Sequence, residues 1–234
     1  MEITRLFDTL YYQKENNPQA VAMATMQDGT WVKISTEQLV DAANKMSAGL
    51  LELGIQPGDK VAVVTTANRH EWCICDLGIS QIGAINVPLY PTISEADYQY
   101  ILNHAEAKIC IVSDEKLFRK VNNVKGNIPG LREIYTFENV EGAKHYEDVL
   151  KLGEGKDLSK VKAISDSIDP NSLATLIYTS GTTGTPKGVM LTHHNIISNA
   201  VTVSKELPVK PGDTALSFLP LCHIFERMVI YTYL

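Results

Sequence analysis

The sequence predicts an α/β fold in which mostly parallel sheets are covered by helices, and three observations carry that expectation. Short, almost wholly apolar runs recur at Lys60–Thr65, Ile109–Val112 and Leu173–Tyr178, as expected of strands buried on both faces. Segments with helical spacing lie between these runs, so strand and helix alternate along the chain. A length of 234 residues, with 44% hydrophobic and 21% charged residues, is enough to bury a sizeable core.

Each element can be justified in order. Thr4 to Glu15 reads as a helix that Asn16-Asn17-Pro18 stops. Two β-prone runs, Ala20–Ala24 and Trp31–Ile34, flank Asp28-Gly29 and read as a hairpin. Ser35 or Thr36 caps a long helix whose Leu39, Ala42, Ala43, Met46, Leu50 and Leu51 form one apolar stripe, and Gly54 closes it. That stripe reads as core. Gln56 to Asp59 is a turn, followed by the strand Lys60–Thr65, a helix over Asn68–Gly78 and an extended run Ala84–Pro88. A helix over Glu95–His104, the strand Ile109–Val112 and a helix over Glu115–Val121 repeat the pattern.

From Gly126 to about Asp169 the composition turns polar, with a strand at Glu133–Thr136 and a helix near Tyr146–Leu152. The Lys-, Gly- and Asp-rich piece Gly153–Asp169 reads as a linker. After it come the strand Leu173–Tyr178, an extended Gly188–Leu191, a helix over Asn195–Leu207 and a strand Thr214–Phe218.

A net charge of -6, with lysines spread along the chain, argues against nucleic acid as a partner. The longest uncharged stretch, Leu77 to Ser94, carries Gln81, Asn86, Pro88 and Pro91 and is no membrane span. Nor does the N-terminus resemble a signal peptide. The chain therefore reads as cytoplasmic, with peripheral membrane association left open. Cys73, Cys75, Cys110 and Cys222 show no C-x-x-C spacing and read as reduced structural thiols, so no metal site is expected on this chain.

The run from Tyr178 to Gly188 is the densest chemical signal. It holds four threonines, a serine, three glycines and one lysine, directly after an apolar strand. Glycines let backbone N–H groups curl around an anion, hydroxyls add donors, and the lysine supplies a point charge suited to phosphate. A Walker A loop would start a helix at its lysine, but Lys187 follows a proline and precedes Gly188 and β-prone residues. No G-x-G-x-x-G fingerprint is present. The loop should therefore join strand to strand.

The segment Leu176-Ile177-Tyr178-Thr179-Ser180-Gly181-Thr182-Thr183-Gly184-Thr185-Pro186-Lys187-Gly188-Val189 resembles the signature of the AMP-forming acyl-CoA synthetases, the adenylate-forming ligases. Leu219-Pro220-Leu221-Cys222-His223-Ile224-Phe225-Glu226-Arg227 resembles the next motif of that family, in the form found in its long-chain fatty acid branch. The stretches Gly58–Ala62, Glu71-Trp72 and Val87–Thr92 agree, in the expected order. The resemblance implies that the chain is the N-terminal part of the family's large domain, with a first α/β subdomain over 1–165 and the start of a second over 166–234. It implies that Thr179, Ser180, Gly181, Thr182, Thr183, Gly184 and Lys187 hold the ATP phosphates, and that His223 borders the acyl-adenylate pocket. A histidine packed in the core is the plainer reading of His223. ATP, Mg2+ and coenzyme A would be co-substrates of the full-length enzyme, and a fatty acid the substrate. Aryl-CoA ligases, peptide-synthetase adenylation domains and luciferases share the loop; a non-catalytic nucleotide-binding module or a scaffold would differ in class.

Other residues read as structural. His193 and His194 are neighbours that point apart, which suits a helix start better than a metal site. Glu226 and Arg227 suggest a local ion pair at a helix start, and Trp31 and Trp72 suggest core. The family's later motifs and its C-terminal domain are not in this sequence, and Val229–Leu234 reads as part of a helix. The 234-residue chain on its own is therefore expected to turn over no substrate. Incubating it with fatty acid, ATP and coenzyme A should yield no thioester, and thioester detected by mass spectrometry would overturn that expectation.

Overall fold

A computed structural model describes residues 2–179 and 184–234. Helix α1 (Asp8–Asn16) leads into a hairpin of β1 (Met23–Gln27) and β2 (Thr30–Ile34). Asp28 and Gly29 both have positive φ, 47° and 76°, as a two-residue hairpin turn requires. That turn pairs Gln27 with Thr30, so the first strand lies later than the expected Ala20–Ala24. Thr25 and Gln27 anchor the hairpin. The His70 N–H donates to Thr25 Oγ1 at 2.9 Å, and the Gln27 amide donates to Glu71 Oε1 at 2.9 Å.

Helix α2 (Thr36–Glu52) begins with a reciprocal cap between Ser35 and Gln38 and buries the predicted stripe. Then follow β3 (Lys60–Val64), α3 (His70–Gln81), β4 (Ile85–Leu89), α4 (Glu95–His104), β5 (Ala107–Val112), α5 (Glu115–Lys125) and β6 (Glu133–Thr136). A two-residue β7 (Lys144–His145), α6 (Tyr146–Gly153) and α7 (Ser159–Ser167) come next. The chain continues through β8 (Leu173–Thr179), β9 (Lys187–Thr192), α8 (His193–Glu206) and α9 (Ile224–Tyr233).

Among the described residues, seven strands form one sheet in the order β7-β6-β5-β3-β4-β8-β9. All neighbours are parallel except β8 and β9. Alternate residues of each strand feed two cores. Val61, Val63, Ile109 and Ile111 face α1, α2, α3, α6 and α8, whereas Ala62, Val64, Cys110 and Val112 face α4 and α5. The chain leaves β3 through α3 to reach β4 on one side, then returns through α4 to β5 on the other. The loops after β3 and β4 thus diverge to opposite faces, which opens a crevice at the carboxyl edge of the sheet.

Two expectations are corrected. The piece 153–169 is not a plain linker, because it contains α7. Val161 in α7 and Ile168 at its C-cap pack on the core that α2 and α3 line, which seats the helix on that layer. The Asp157 carboxylate accepts from the Ser159 N–H at 2.9 Å and fixes its start. Thr214–Phe218 forms no strand: it pairs with no described strand, and Leu216 and Phe218 are exposed. The expected subdomain boundary at 165 falls inside α7, and β8 joins the same sheet as β4.

Helices α2 and α6 cross in unusually close contact through glycines. A Cβ on Gly49 would lie 1.9 Å from the Val149 carbonyl oxygen, and one on Gly153 would lie 2.0 Å from that of Lys45. Both of these neighbours are backbone atoms and cannot yield without separating the helices. Gly49→Ala should cost about 2 kcal/mol or more in urea denaturation, through overpacking. Gly126→Ala, at a site with open space and an ordinary helical φ of -59°, should be neutral or slightly stabilising.

Candidate active site

Because β3, β4, β5 and β8 run parallel, their carboxyl ends share one edge of the sheet. Strand β8 delivers Thr179 to that edge, and β9 returns antiparallel with Lys187 opposite Thr179. The expected strand-to-strand loop is therefore present, and Lys187 belongs to a strand. Thr179, Gly184 and Lys187 are exposed, and Gly184 has a φ of 82°, in the region that favours glycine. Ser180, Gly181, Thr182 and Thr183 lie outside the described residues. The stem of the hairpin is braced from the α4 side. The Tyr178 hydroxyl is 2.7 Å from His104 Nδ1, and its ring packs on Gly188, where a Cβ would approach it to 3.2 Å.

His223 stands at the start of α9 as its N-cap. It is exposed, so it is not a packed core histidine. Its Nδ1 accepts from the Phe225 N–H at 3.2 Å, which leaves the proton of the neutral ring on Nε2. The segment before it is tied to the loop after β3. The Asn68 side-chain amide donates to Ser217 Oγ and to the Leu219 carbonyl, each at 2.7 Å. The second motif therefore lies beside the crevice, at the same sheet edge as the hairpin.

Below this edge runs a buried polar chain. The Arg227 guanidinium donates to both oxygens of Asp76, at 2.8 and 2.6 Å, so the expected pair with Glu226 does not form. The reason is geometric: Arg227 points inward toward α3, where Asp76 offers a full carboxylate. Asp76 also accepts from the Asn86 amide at 2.7 Å and from the Tyr231 hydroxyl at 2.5 Å. Thr175 Oγ1 donates to the Asn86 carbonyl at 2.7 Å, across the β4–β8 junction. Burial works against the Arg227 charge, but Asp76 and Tyr231 outweigh it and hold the guanidinium protonated. Burial, reinforced by the Asp76 charge, pushes the Tyr231 hydroxyl well above its ordinary range, so it remains a donor.

The AMP-binding enzyme family matches residues 10–234. This chain belongs to the AMP-binding enzymes. Long-chain-fatty-acid–CoA ligase FadD15 of Mycobacterium bovis is 30% identical over 222 residues, covering 94% of the chain and 37% of the relative. Long-chain-fatty-acid–CoA ligase 5 of Rattus norvegicus is 33% identical over 235 residues, covering 94% and 32%. The chain thus spans about a third of the length of these curated relatives. Among solved structures, a long-chain-fatty-acid–CoA ligase of Archaeoglobus fulgidus superposes with a TM-score of 0.82 at 20% identity, over 99% of this chain and 45% of that one. The anthranilate CoA ligase AuaEII, in complex with anthranoyl-AMP, gives a TM-score of 0.79 at 22% identity, over 98% and 42%. These likenesses establish the fold of the AMP-binding domain.

In this AMP-binding chain, sequence reading missed Asp76, Asn86 and Tyr231, whose role depends on contacts between distant elements. A polar residue in an otherwise apolar helix and a Asn in an apolar strand were the available signals. Trp72 is core as expected, but Trp31 is half exposed on the hairpin. The four cysteines are free and buried, and burial pushes the Cys110 and Cys222 thiols up to about 12. His193 opens α8 as expected of a helix-start residue, yet it is also buried, with Nδ1 accepting from the Leu6 N–H at 3.3 Å.

Burial, with Arg227 nearby, lowers the His193 pKa to about 4. The unfolded chain then binds more protons than the folded one between about pH 6.5 and 4. Stability from this group is full above pH 6.5 and is lost as pH falls toward 4. Burial lowers the pKa of His70 too, with the same sign. Urea melts at pH 7 and 4.5 should show an acid loss that is smaller in His193→Gln by about 2 to 3 kcal/mol.

Proposed function

We propose that this chain forms the nucleotide-phosphate end of a long-chain fatty acid–CoA ligase. The observation that carries the reading is the placement of the Thr179/Lys187 hairpin and the His223 cap on one carboxyl edge of a doubly covered sheet. A fatty acid carboxylate attacks the α-phosphate of ATP, giving acyl-adenylate and pyrophosphate. The coenzyme A thiol then displaces AMP and forms the thioester. The choice of long-chain acids rests on the names of the curated relatives.

In the first step charge accumulates on the departing pyrophosphate. Thr179, Ser180, Gly181, Thr182, Thr183 and Gly184 supply hydroxyl and backbone N–H donors, and Lys187 supplies the cation. Donors fixed in advance stabilise such charge better than water that must reorient. His223, with Nε2–H directed away from its own helix cap, can donate to an oxygen of the acyl-adenylate. Phe218 and Phe225, both exposed and flanking the second motif on either side of His223 in sequence, offer apolar surface that suits an alkyl chain. No three His, Cys, Asp or Glu side chains converge among the described residues, so they do not form a magnesium cage. Magnesium would arrive as the counter-ion of ATP.

The test is acid-dependent exchange of labelled pyrophosphate into ATP by the gene product that carries these residues. Acids of graded chain length should show a maximum in the long-chain range. A maximum with aryl or amino acids would replace this reading with another branch of the family. Lys187→Ala should lower the exchange rate about 100-fold, with the acid KM changed far less. An equal loss in both would remove Lys187 from the phosphate role.

A further inference from the structure

We propose that the buried Asp76–Arg227 pair is a positioning device that sets His223 relative to the phosphate hairpin; this rests on the functional reading above. Asp76 and Arg227 touch neither the crevice nor each other's backbone, and each is about 1% exposed. Their importance lies in what they connect. Arg227 is four residues after His223, and its backbone N–H donates to the His223 carbonyl at 3.2 Å. Its side chain is held by two parallel hydrogen bonds, which fix both the distance and the rotation of α9 against α3. Tyr231, one turn further along α9, binds the same carboxylate and removes the remaining freedom to roll.

The other end of the chain of contacts reaches the hairpin. Asp76 Oδ1 holds the Asn86 side chain, the Asn86 carbonyl holds Thr175, and Thr175 is four residues before Thr179 on the same strand. A continuous path of short polar contacts therefore runs from the cap of α9 to the stem of the candidate phosphate loop. Packing alone does not require it. An apolar pair of similar volume would fill the same space without a buried charge, but it would strand the Asn86 amide and the Tyr231 hydroxyl and leave the angle of α9 loosely defined. Fork-to-carboxylate geometry is directional, whereas apolar contact is not. Misplacing one catalytic group by about 1 Å costs on the order of 100-fold in rate, which is the scale on which such a device matters.

The experiment replaces the pair together, Asp76→Leu with Arg227→Met, in the gene product that carries these residues. The double variant leaves the Asn86 amide and the Tyr231 hydroxyl without their acceptor and should melt below the parent yet remain folded, while kcat for acid-dependent pyrophosphate exchange falls about 30-fold or more and the KM for ATP stays within about threefold. A folded double variant that exchanges at the parent rate would reduce the network to packing. Should the double variant fail to fold, Tyr231→Phe removes one bond without stranding a charge. It should lower kcat about fivefold at nearly unchanged melting temperature, and an unchanged kcat would overturn the proposal. If the parent itself shows no exchange with any acid, the functional reading has failed. The positioning role is then judged by amide hydrogen exchange in Tyr231→Phe. Phe225 and Arg227 should exchange about tenfold faster while Val61–Val64 stay protected, and unchanged protection at 225 and 227 would refute it.

Discussion

The Asp76 carboxylate is the interaction on which the arrangement of this chain depends. Three elements meet through it: α3 carries it, β4 sends Asn86 to it, and α9, about 150 residues further on, contributes Arg227 and Tyr231. Moving two charges out of water is costly, and an ion pair offsets that cost only when hydrogen bonds satisfy both partners. Here the carboxylate side is satisfied, with Asn86 and Arg227 on one oxygen and Arg227 and Tyr231 on the other, whereas Arg227 Nη1 is buried without a protein partner. Removing a single partner strands a buried charge and costs about 3–5 kcal/mol, far more than the intact pair contributes. The network is therefore a constraint on geometry before it is a source of stability.

The parallel sheet supplies the second constraint. Strands buried on both faces can be apolar throughout, and their polar, chemically useful residues collect where the chain leaves the sheet. In this chain Asn68, Thr179 and His223 all belong to segments at the carboxyl edge. The antiparallel turn of β8 into β9 is the exception to the topology. It brings Lys187 back to the edge that Thr179 has just reached, which no parallel connection of that length could do.

Much of this was legible in the sequence because the signals were local. The Asp28-Gly29 turn, the Ser35 cap and the alternation of apolar runs with helical stripes all act within a few residues. The run of glycines and hydroxyls from Tyr178 to Gly188 stood out for the same reason, since its residues are contiguous. What escaped was set by contacts at long range. Arg227 sits beside Glu226 in sequence but meets Asp76, 151 residues away. Helix α7 hid in a polar stretch because its hold on the core comes from Val161 and the half-buried Ile168 at its C-cap. The β-prone run 214–218 found no neighbouring edge to pair with. Propensity names what a segment can become, and a partner decides whether it does.

The pairing of Thr179 with Lys187 has one more consequence. Lysine in a Walker loop begins a helix and moves with the loop around its ligand. Lys187 instead sits in the ladder, so the root of its side chain is held by the sheet. In the proposed function, attraction of an incoming polyanion and the grip on it then have different owners. The ammonium, on a stem anchored in the sheet, acts at a distance and governs how fast the nucleotide arrives, with a dependence on ionic strength. The hydroxyls and N–H groups act only on contact and govern how long it stays.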